Sequence, residues 1–251
     1  MADVWAPGTE APSLMATPAP VVTPLLGGGD LIGLAFKEMQ ADPWAWGKAG
    51  LGFALPIVGV VVAALIAIIV PTFAGLFSGD ENLALIGNIV GLGACFLLLL
   101  AFLLVGSPLL AASFYRAADR HLSRLERIGF NASWSTLTTD LGRVFGTQLL
   151  VFAITMVGII ACYLPGLIAG IVLSLAVPLV AIRGLGPVDA VKQSFQHAKN
   201  HTAWFVVYWL IGVIVMMVIS YIPCIGIAIA LPFYTIYHIL GIRVLEIKET
   251  A

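Results

Sequence analysis

Polar and apolar positions are segregated along this chain on the scale of whole helices. Four stretches, Ala49–Gly79, Asn82–Tyr115, Val144–Ile182 and Ala203–Ile242, contain no Lys, Arg, Asp or Glu. A helix crosses the hydrocarbon core of a bilayer in about 20 residues. The first two stretches therefore predict one crossing each. The last two are nearly twice that length and predict two crossings each. Both are interrupted near the middle by the same short phrase, Tyr163-Leu164-Pro165 and Tyr221-Ile222-Pro223. Proline disfavours helix continuation and tyrosine favours the membrane–water boundary, so each phrase reads as a tight surface turn. The pattern predicts six transmembrane helices.

The segments before three of these crossings carry a shorter, helical period. In "RGLGPVDAVKQSFQHAKNHTAW", Pro187 suits a first helical turn. Val188, Val191, Phe195 and Ala198 then share a stripe, with Asp189, Lys192, Gln196 and Lys199 off it. In "SWSTLTTDLGRVF" the stripe is Leu137, Leu141, Val144 and Phe145, and in "DLIGLAFKEMQADPWAW" it is Ile32, Ala35, Phe36 and Met39. Each predicts an amphipathic helix lying in the membrane interface, with Trp44, Trp46 or Trp204 marking entry to the next span. The expected fold is all-α integral membrane, with six transmembrane helices as three hairpin repeats, each preceded by an interfacial helix. Each returning span carries one proline, Pro108, Pro178 or Pro232. Gly87/Gly91 and Gly166/Gly170 satisfy the spacing at which small residues let two helices approach closely.

Composition agrees with this picture. Hydrophobic residues make up 61% of 251 positions and charged residues 10%, against about 25% charged in soluble domains. All 12 Lys and Arg side chains fall on one side of a six-span arrangement, and the opposite loops offer only Asp80 and Glu81. The excess of cations on cytoplasmic loops predicts that both termini are cytoplasmic. Residues 1–29, rich in Ala, Pro, Thr and Gly, predict a disordered N-terminal tail, and residues 30–251 a single six-helix domain. Cys95, Cys162 and Cys224 lie in apolar surroundings and form no CxxC. They read as small packing residues, with a Cys162–Cys224 disulfide conceivable between neighbouring turns.

The stretch "VPLVAIRGLGPVDAVKQSFQHAKNHTAWFVVYW" resembles a loosely defined group of bacterial six-span inner-membrane proteins. The group includes the membrane domain attached to some glycerophosphodiester phosphodiesterases, and the YciC-like proteins. Pro178, Gly184, Gly186, Ala190, Ser194 and Trp204 carry the resemblance. It implies a bacterial cytoplasmic-membrane location and a fold without a known chemistry; the phosphodiesterase catalytic domain itself has no counterpart here.

Motifs for catalysis are scarce. "GLGPVD" lacks the third glycine of a dinucleotide fingerprint and follows a membrane span rather than a strand. His197 and His201 share a helical face but have no third ligand, so a solvated face is the expectation. No Asp, Glu, Lys or Arg falls in the uncharged stretches, which argues against an ion pump. No nucleic-acid footprint and no cofactor motif is present, and the chain is expected to be non-enzymatic. Two readings follow. In the first, the chain is a membrane scaffold or accessory protein. Arg116, Arg120, Arg124 and Arg127 then meet membrane lipids or a protein partner at the cytoplasmic face. In the second, it is a passive carrier or channel for a lipid or small neutral solute, with a polar path through Asn88, Gln148 and His238. Outside such a path, His238 reads as an interfacial residue snorkelling to water.

Overall fold

The computed structural model describes residue 23 and residues 26–79, 81–222 and 226–250. Most of the expected tail lies outside these residues, as do Asp80, Pro223 and Cys224, the second thiol of the conceivable disulfide. Every regular element among the described residues is helical. In chain order they are α1 (Gly28–Ala41), α2 (Pro43–Ser78), α3 (Glu81–Ala101), a π-helical segment (Phe102–Gly106) and α4 (Ser107–Leu122). A short 3₁₀ turn (Phe130–Ser133) follows, then α5 (Leu141–Ala161), α6 (Tyr163–Val172), α7 (Ala176–Arg183), α8 (Pro187–Asn200), α9 (Thr202–Ser220) and α10 (Gly226–Thr250). Helix α1 starts at Gly28, two residues inside the expected tail.

Among the described residues, six helical stretches are long and apolar enough to cross a membrane: Pro43–Phe77, Leu85–Leu122, Leu141–Ala161, Tyr163–Arg183, Thr202–Ser220 and Ala228–Glu249. Their boundaries have local causes. Pro43 occupies the first turn of α2, and Asp42 caps it by accepting a hydrogen bond from the Ala45 N–H at 3.2 Å; both features suit a helix start. Gly79 ends α2 and Gly184 ends α7, with φ of 68° and 65°, a left-handed conformation that glycine adopts without steric cost. One extended residue, Cys162, joins α5 to α6, so the Tyr-x-Pro phrase opens the returning helix.

The three returning prolines act differently. Pro108 follows the π segment, which makes one wide turn where proline's missing N–H frees a carbonyl. Pro178 lies just after the turn at 173–175 that separates α6 from α7. Pro232 sits inside a continuous α10.

At the centre of the bundle is α10. Phe233, Ile236, Tyr237, Leu240, Val244 and Leu245 are fully buried against α1, α2, α4 and α9. The α2–α3 pair lies at the other extreme, its outer parts lined by exposed Val61, Leu65, Ile69, Phe77, Ile89 and Phe96. The two helices meet where glycines allow it. A Cβ on Gly91 would come within 2.5 Å of the Ala67 carbonyl, and one on Gly87 within 3.0 Å of the Pro71 carbonyl. At the second GxxxG site, Gly166 lies against Ile159, where a Cβ would come within 2.5 Å of the backbone nitrogen; Gly170 is looser.

Two of the three expected interfacial helices exist as helices, α1 and α8. The third does not. Residues 130–133 form a 3₁₀ turn and 134–140 a run of turns, with α5 starting at Leu141. The cause is competition for the backbone by Ser and Thr hydroxyls. Ser113 Oγ donates to the Ala132 carbonyl at 2.9 Å and accepts from the Thr136 N–H at 3.2 Å. Asp140 then takes a left-handed backbone, φ 55°. The apolar stripes also face differently from expectation. In α8 the protein-facing side is Ala190, Ser194, His197 and Ala198, and Val188 and Phe195 are exposed. In α1 it is Leu31, Ala35 and Glu38, with Phe36 at its edge, partly exposed and its ring 4.9 Å from that of Phe233.

Candidate functional site

The four arginines singled out by sequence lie on or just after α4, and each is engaged by a carboxylate of the same chain. Arg124 Nη2 meets Glu38 Oε2 at 2.9 Å, with both side chains about nine-tenths buried (10% and 9% exposed). Arg127 Nε meets Asp42 Oδ2 at 3.0 Å, and its Nη2 reaches the other oxygen at 3.2 Å, a bidentate pairing. Arg116 donates to the Thr136 carbonyl at 3.1 Å and faces Asp140 at 3.7 Å. Arg120 pairs with Glu126 at 3.2 Å and is the most open of the four, 51% exposed. The cluster thus ties α4 and the segment after it to α1 and to the start of α2.

The same rule extends to the remaining arginines. Arg143 pairs with Asp140 at 3.2 Å and donates to the Gly184 carbonyl at 3.1 Å. Arg183 Nε donates to Glu246 at 2.7 Å, and Arg243 to Asp119 at 2.7 Å. All seven arginines of the chain are therefore in ion pairs, most of them between elements distant in sequence. The lysines behave otherwise. Lys248 lies over the Trp204 ring, 4.9 Å from its centroid. Among the described residues, Lys192 and Lys199 have no carboxylate within ion-pair distance and are exposed.

The proposed polar-path residues lie on three elements with separate surroundings. Asn88 of α3 accepts a hydrogen bond from Thr72 Oγ1 of α2, inside the α2–α3 interface. Gln148 is half-buried on α5. His238 of α10 is 3% exposed, so it does not snorkel to water. Its Nδ1 hydrogen-bonds with the Tyr115 hydroxyl at 2.9 Å, and its ring lies 4.1 Å from that of Tyr234, centroid to centroid. Around it Tyr208 stacks on Tyr237 at 4.6 Å and on Trp204 at 5.0 Å. The Tyr237 hydroxyl donates to the Tyr208 carbonyl at 2.7 Å. Burial explains the reversal: aromatic side chains from α4 and α9 enclose this turn of α10 before it can reach an interface.

Sequence reasoning missed the acidic partners Glu38, Asp42, Asp119, Asp140 and Glu246. A signal for them existed, since nearly all acids share the polar segments that carry the cations. Which acid meets which arginine depends on tertiary folding and carries no local signature. His197 is likewise buried, with Nδ1 2.8 Å from Glu249, rather than on a solvated face. Among the described residues, no three His, Cys, Asp or Glu side chains converge as a metal site.

A groove runs along the outside of the α5–α6 hairpin beneath α8. Its volume is about 660 Å³, and its walls are Ile154 of α5, residues 165–173 of α6 in part, and one side of α8. Ser194 Oγ, which donates to the Val172 carbonyl at 2.6 Å, ties α8 to α6 beside it.

Comparison with known proteins gives partial relatives. The chain is 32% identical over 107 residues to Uncharacterized protein Rv2560 of Mycobacterium tuberculosis, a match that takes in 43% of this chain and 33% of the relative. Uncharacterized protein Mb2590 of Mycobacterium bovis matches with the same identity and coverage. The match thus spans about a third of the length of these curated relatives. No family model matches the chain, and these relatives do not support the expected likeness to the phosphodiesterase-linked membrane domain or the YciC-like proteins. No solved structure matches. The chain is a helical membrane protein with bacterial relatives.

Proposed function

We propose that the chain is a non-enzymatic scaffold or accessory protein of the bacterial cytoplasmic membrane, with both termini cytoplasmic. In this reading α1 and α8 lie in the interface. On α8 the outward residues Val188 and Phe195 face lipid, and the small or polar side faces the bundle. The observation that carries the reading is the sealed surroundings of His238. The only titratable side chain on the suggested solute path is 3% exposed and enclosed by tyrosines, an arrangement suited to fixing helices together rather than to passing solute.

The arginine pairs support the same view, since they spend the basic groups on holding elements in place. Of the four clustered arginines, that leaves Arg120, about half exposed, as the one best placed to meet a protein partner. The test is extraction of the full chain in native membrane patches, with bound proteins quantified, alongside solute flux through reconstituted vesicles. A scaffold retains a stoichiometric protein partner, loses much of it in Arg120→Gln, and gives flux no higher than protein-free vesicles. Flux that is abolished by Gln148→Leu overturns the proposal in favour of a carrier. Sidedness is open to a separate check, because Cys162 is exposed at the α5–α6 turn. Cytoplasmic termini require a membrane-impermeant maleimide to label it from the outside of intact cells.

A further inference from the structure

We infer that the groove between the α5–α6 hairpin and α8 is a binding site for one anionic phospholipid, with an acyl chain in the groove and the phosphate at Lys192 and Lys199. This goes beyond the scaffold reading and stands or falls independently of it.

The groove holds about 660 Å³, within the range of built small-molecule sites. Pro165 to Leu173, the stretch of α6 that contributes its wall, rises roughly 12 Å at 1.5 Å per residue. Ile154, Ile168, Val172 and Phe195 make the lining almost entirely apolar. Ile168 and Phe195 are about half exposed (52% and 54%), so the slot is open along one side, as entry from a lipid phase requires.

The groove's polar contributors are Lys192, Gln196 and Lys199, all on α8, and no carboxylate lines it. These three recur at helical spacing, so they share one edge of the slot. Elsewhere in the molecule every arginine is neutralised by an acid of the same chain. Among the described residues Lys192 and Lys199 have no such partner, although Asp189 lies one turn away on the same helix; Glu249 is held by His197. An apolar slot edged by two unneutralised cations and an amide complements a phosphodiester with a hydrocarbon tail. A zwitterionic lipid offers the tail but brings a cation with its phosphate.

The groove's rigidity is also accounted for. Ser194 ties α8 to Val172, and Arg143 ties the start of α5 to the Gly184 carbonyl just before α8. Polar bonds therefore fix α8 against the hairpin beside the slot.

The test uses the purified full chain in neutral-detergent micelles, titrated with phosphatidylglycerol or phosphatidylcholine and read by native mass spectrometry. One phosphatidylglycerol is expected to bind at least tenfold more tightly than phosphatidylcholine. The double variant Lys192→Gln/Lys199→Gln is expected to weaken it about 25-fold, at roughly fivefold per surface cation. Ala169→Phe fills the slot and should exclude both lipids. Lys37→Gln/Lys48→Gln removes the same charge elsewhere and should leave binding unchanged. Equal affinity for the two lipids overturns the proposal. So does unchanged binding in the Lys192/Lys199 variant, or equal loss in the Lys37/Lys48 variant. Unfolding midpoints measured in parallel identify any variant that has lost its fold, and Ala169→Phe and the lysine pair report on the site separately.

Discussion

The helix α10 and the α2–α3 hairpin are both predicted as membrane spans, yet they end in opposite surroundings. The stretch Ala228–Glu249 is the least apolar of the six and the most buried; Pro43–Phe77 and Leu85–Leu122 are the most apolar and among the least buried. The inversion has a physical cause. A side chain facing lipid must be hydrocarbon, because no partner is available there for a polar atom. A side chain facing protein is free to be Tyr, Thr or His if its polar atom is bonded, as the Tyr237 hydroxyl and the His238 Nδ1 are. In this molecule strong hydropathy marks the periphery and diluted hydropathy marks the core.

Substitutions break or sharpen that contrast to different degrees. The largest loss is expected from Arg124→Gln, at the junction of α1 and α4 that closes over the core. Removing one partner of a buried pair leaves Glu38 uncompensated and costs about 3–5 kcal/mol. Pairing it with Glu38→Leu should recover most of that. The check is the unfolding midpoint in detergent for both variants. Next comes Gly50→Val, where α2 passes α10. A Cβ there would come within 1.9 Å of the Ala228 carbonyl, so the helices must separate, at about 3 kcal/mol, the upper end of overpacking costs. The paired control on the outer arm is Gly93→Ala, which meets nothing within 4 Å and should not lower the midpoint, since alanine is the better helix former.

A smaller effect is expected at the core's polar bond. Tyr115→Phe leaves His238 Nδ1 without its partner, at about 1–3 kcal/mol for a buried orphan. Amide exchange should then speed up in α10 more than in α3. The smallest belongs to the periphery. Asn88→Leu removes the Thr72 bond between α2 and α3 and should cost about 0.6 kcal/mol, the mean for interhelical bonds in membranes. A loss at Asn88 exceeding that at Tyr115 would overturn the assignment of α10 as the structural centre.

How far the sequence reveals this architecture follows from which forces act locally. The six spans are legible because freedom from charge over a membrane's width is a one-dimensional property. The Tyr163 and Gly184 boundaries are legible for the same reason, since proline and glycine act on their own backbone. The helix expected before α5 was not to be had from its apolar spacing. Ser113, one strand of sequence away, competes for its backbone and turns the segment into a 3₁₀ turn and loops. His238 shows the same limit, since its position near a helix end says nothing about the aromatic residues that α4 and α9 bring over it. The arginines are half legible. Their side of the membrane follows from position, but pairing Arg124 with Glu38 requires knowing that α1 lies beside the end of α4.

The wide π turn at Phe102–Gly106 has a consequence for how this gene tolerates length changes. A π turn holds one residue more than an α turn, so it behaves as an insertion already accommodated. A single-residue deletion there restores ordinary winding. The same deletion inside α4 has no such slack. It rotates everything beyond it by about 100°, carrying Ser113, Arg116 and Asp119 away from partners on three other segments. Length variation in the Leu85–Leu122 span should therefore concentrate in those five residues.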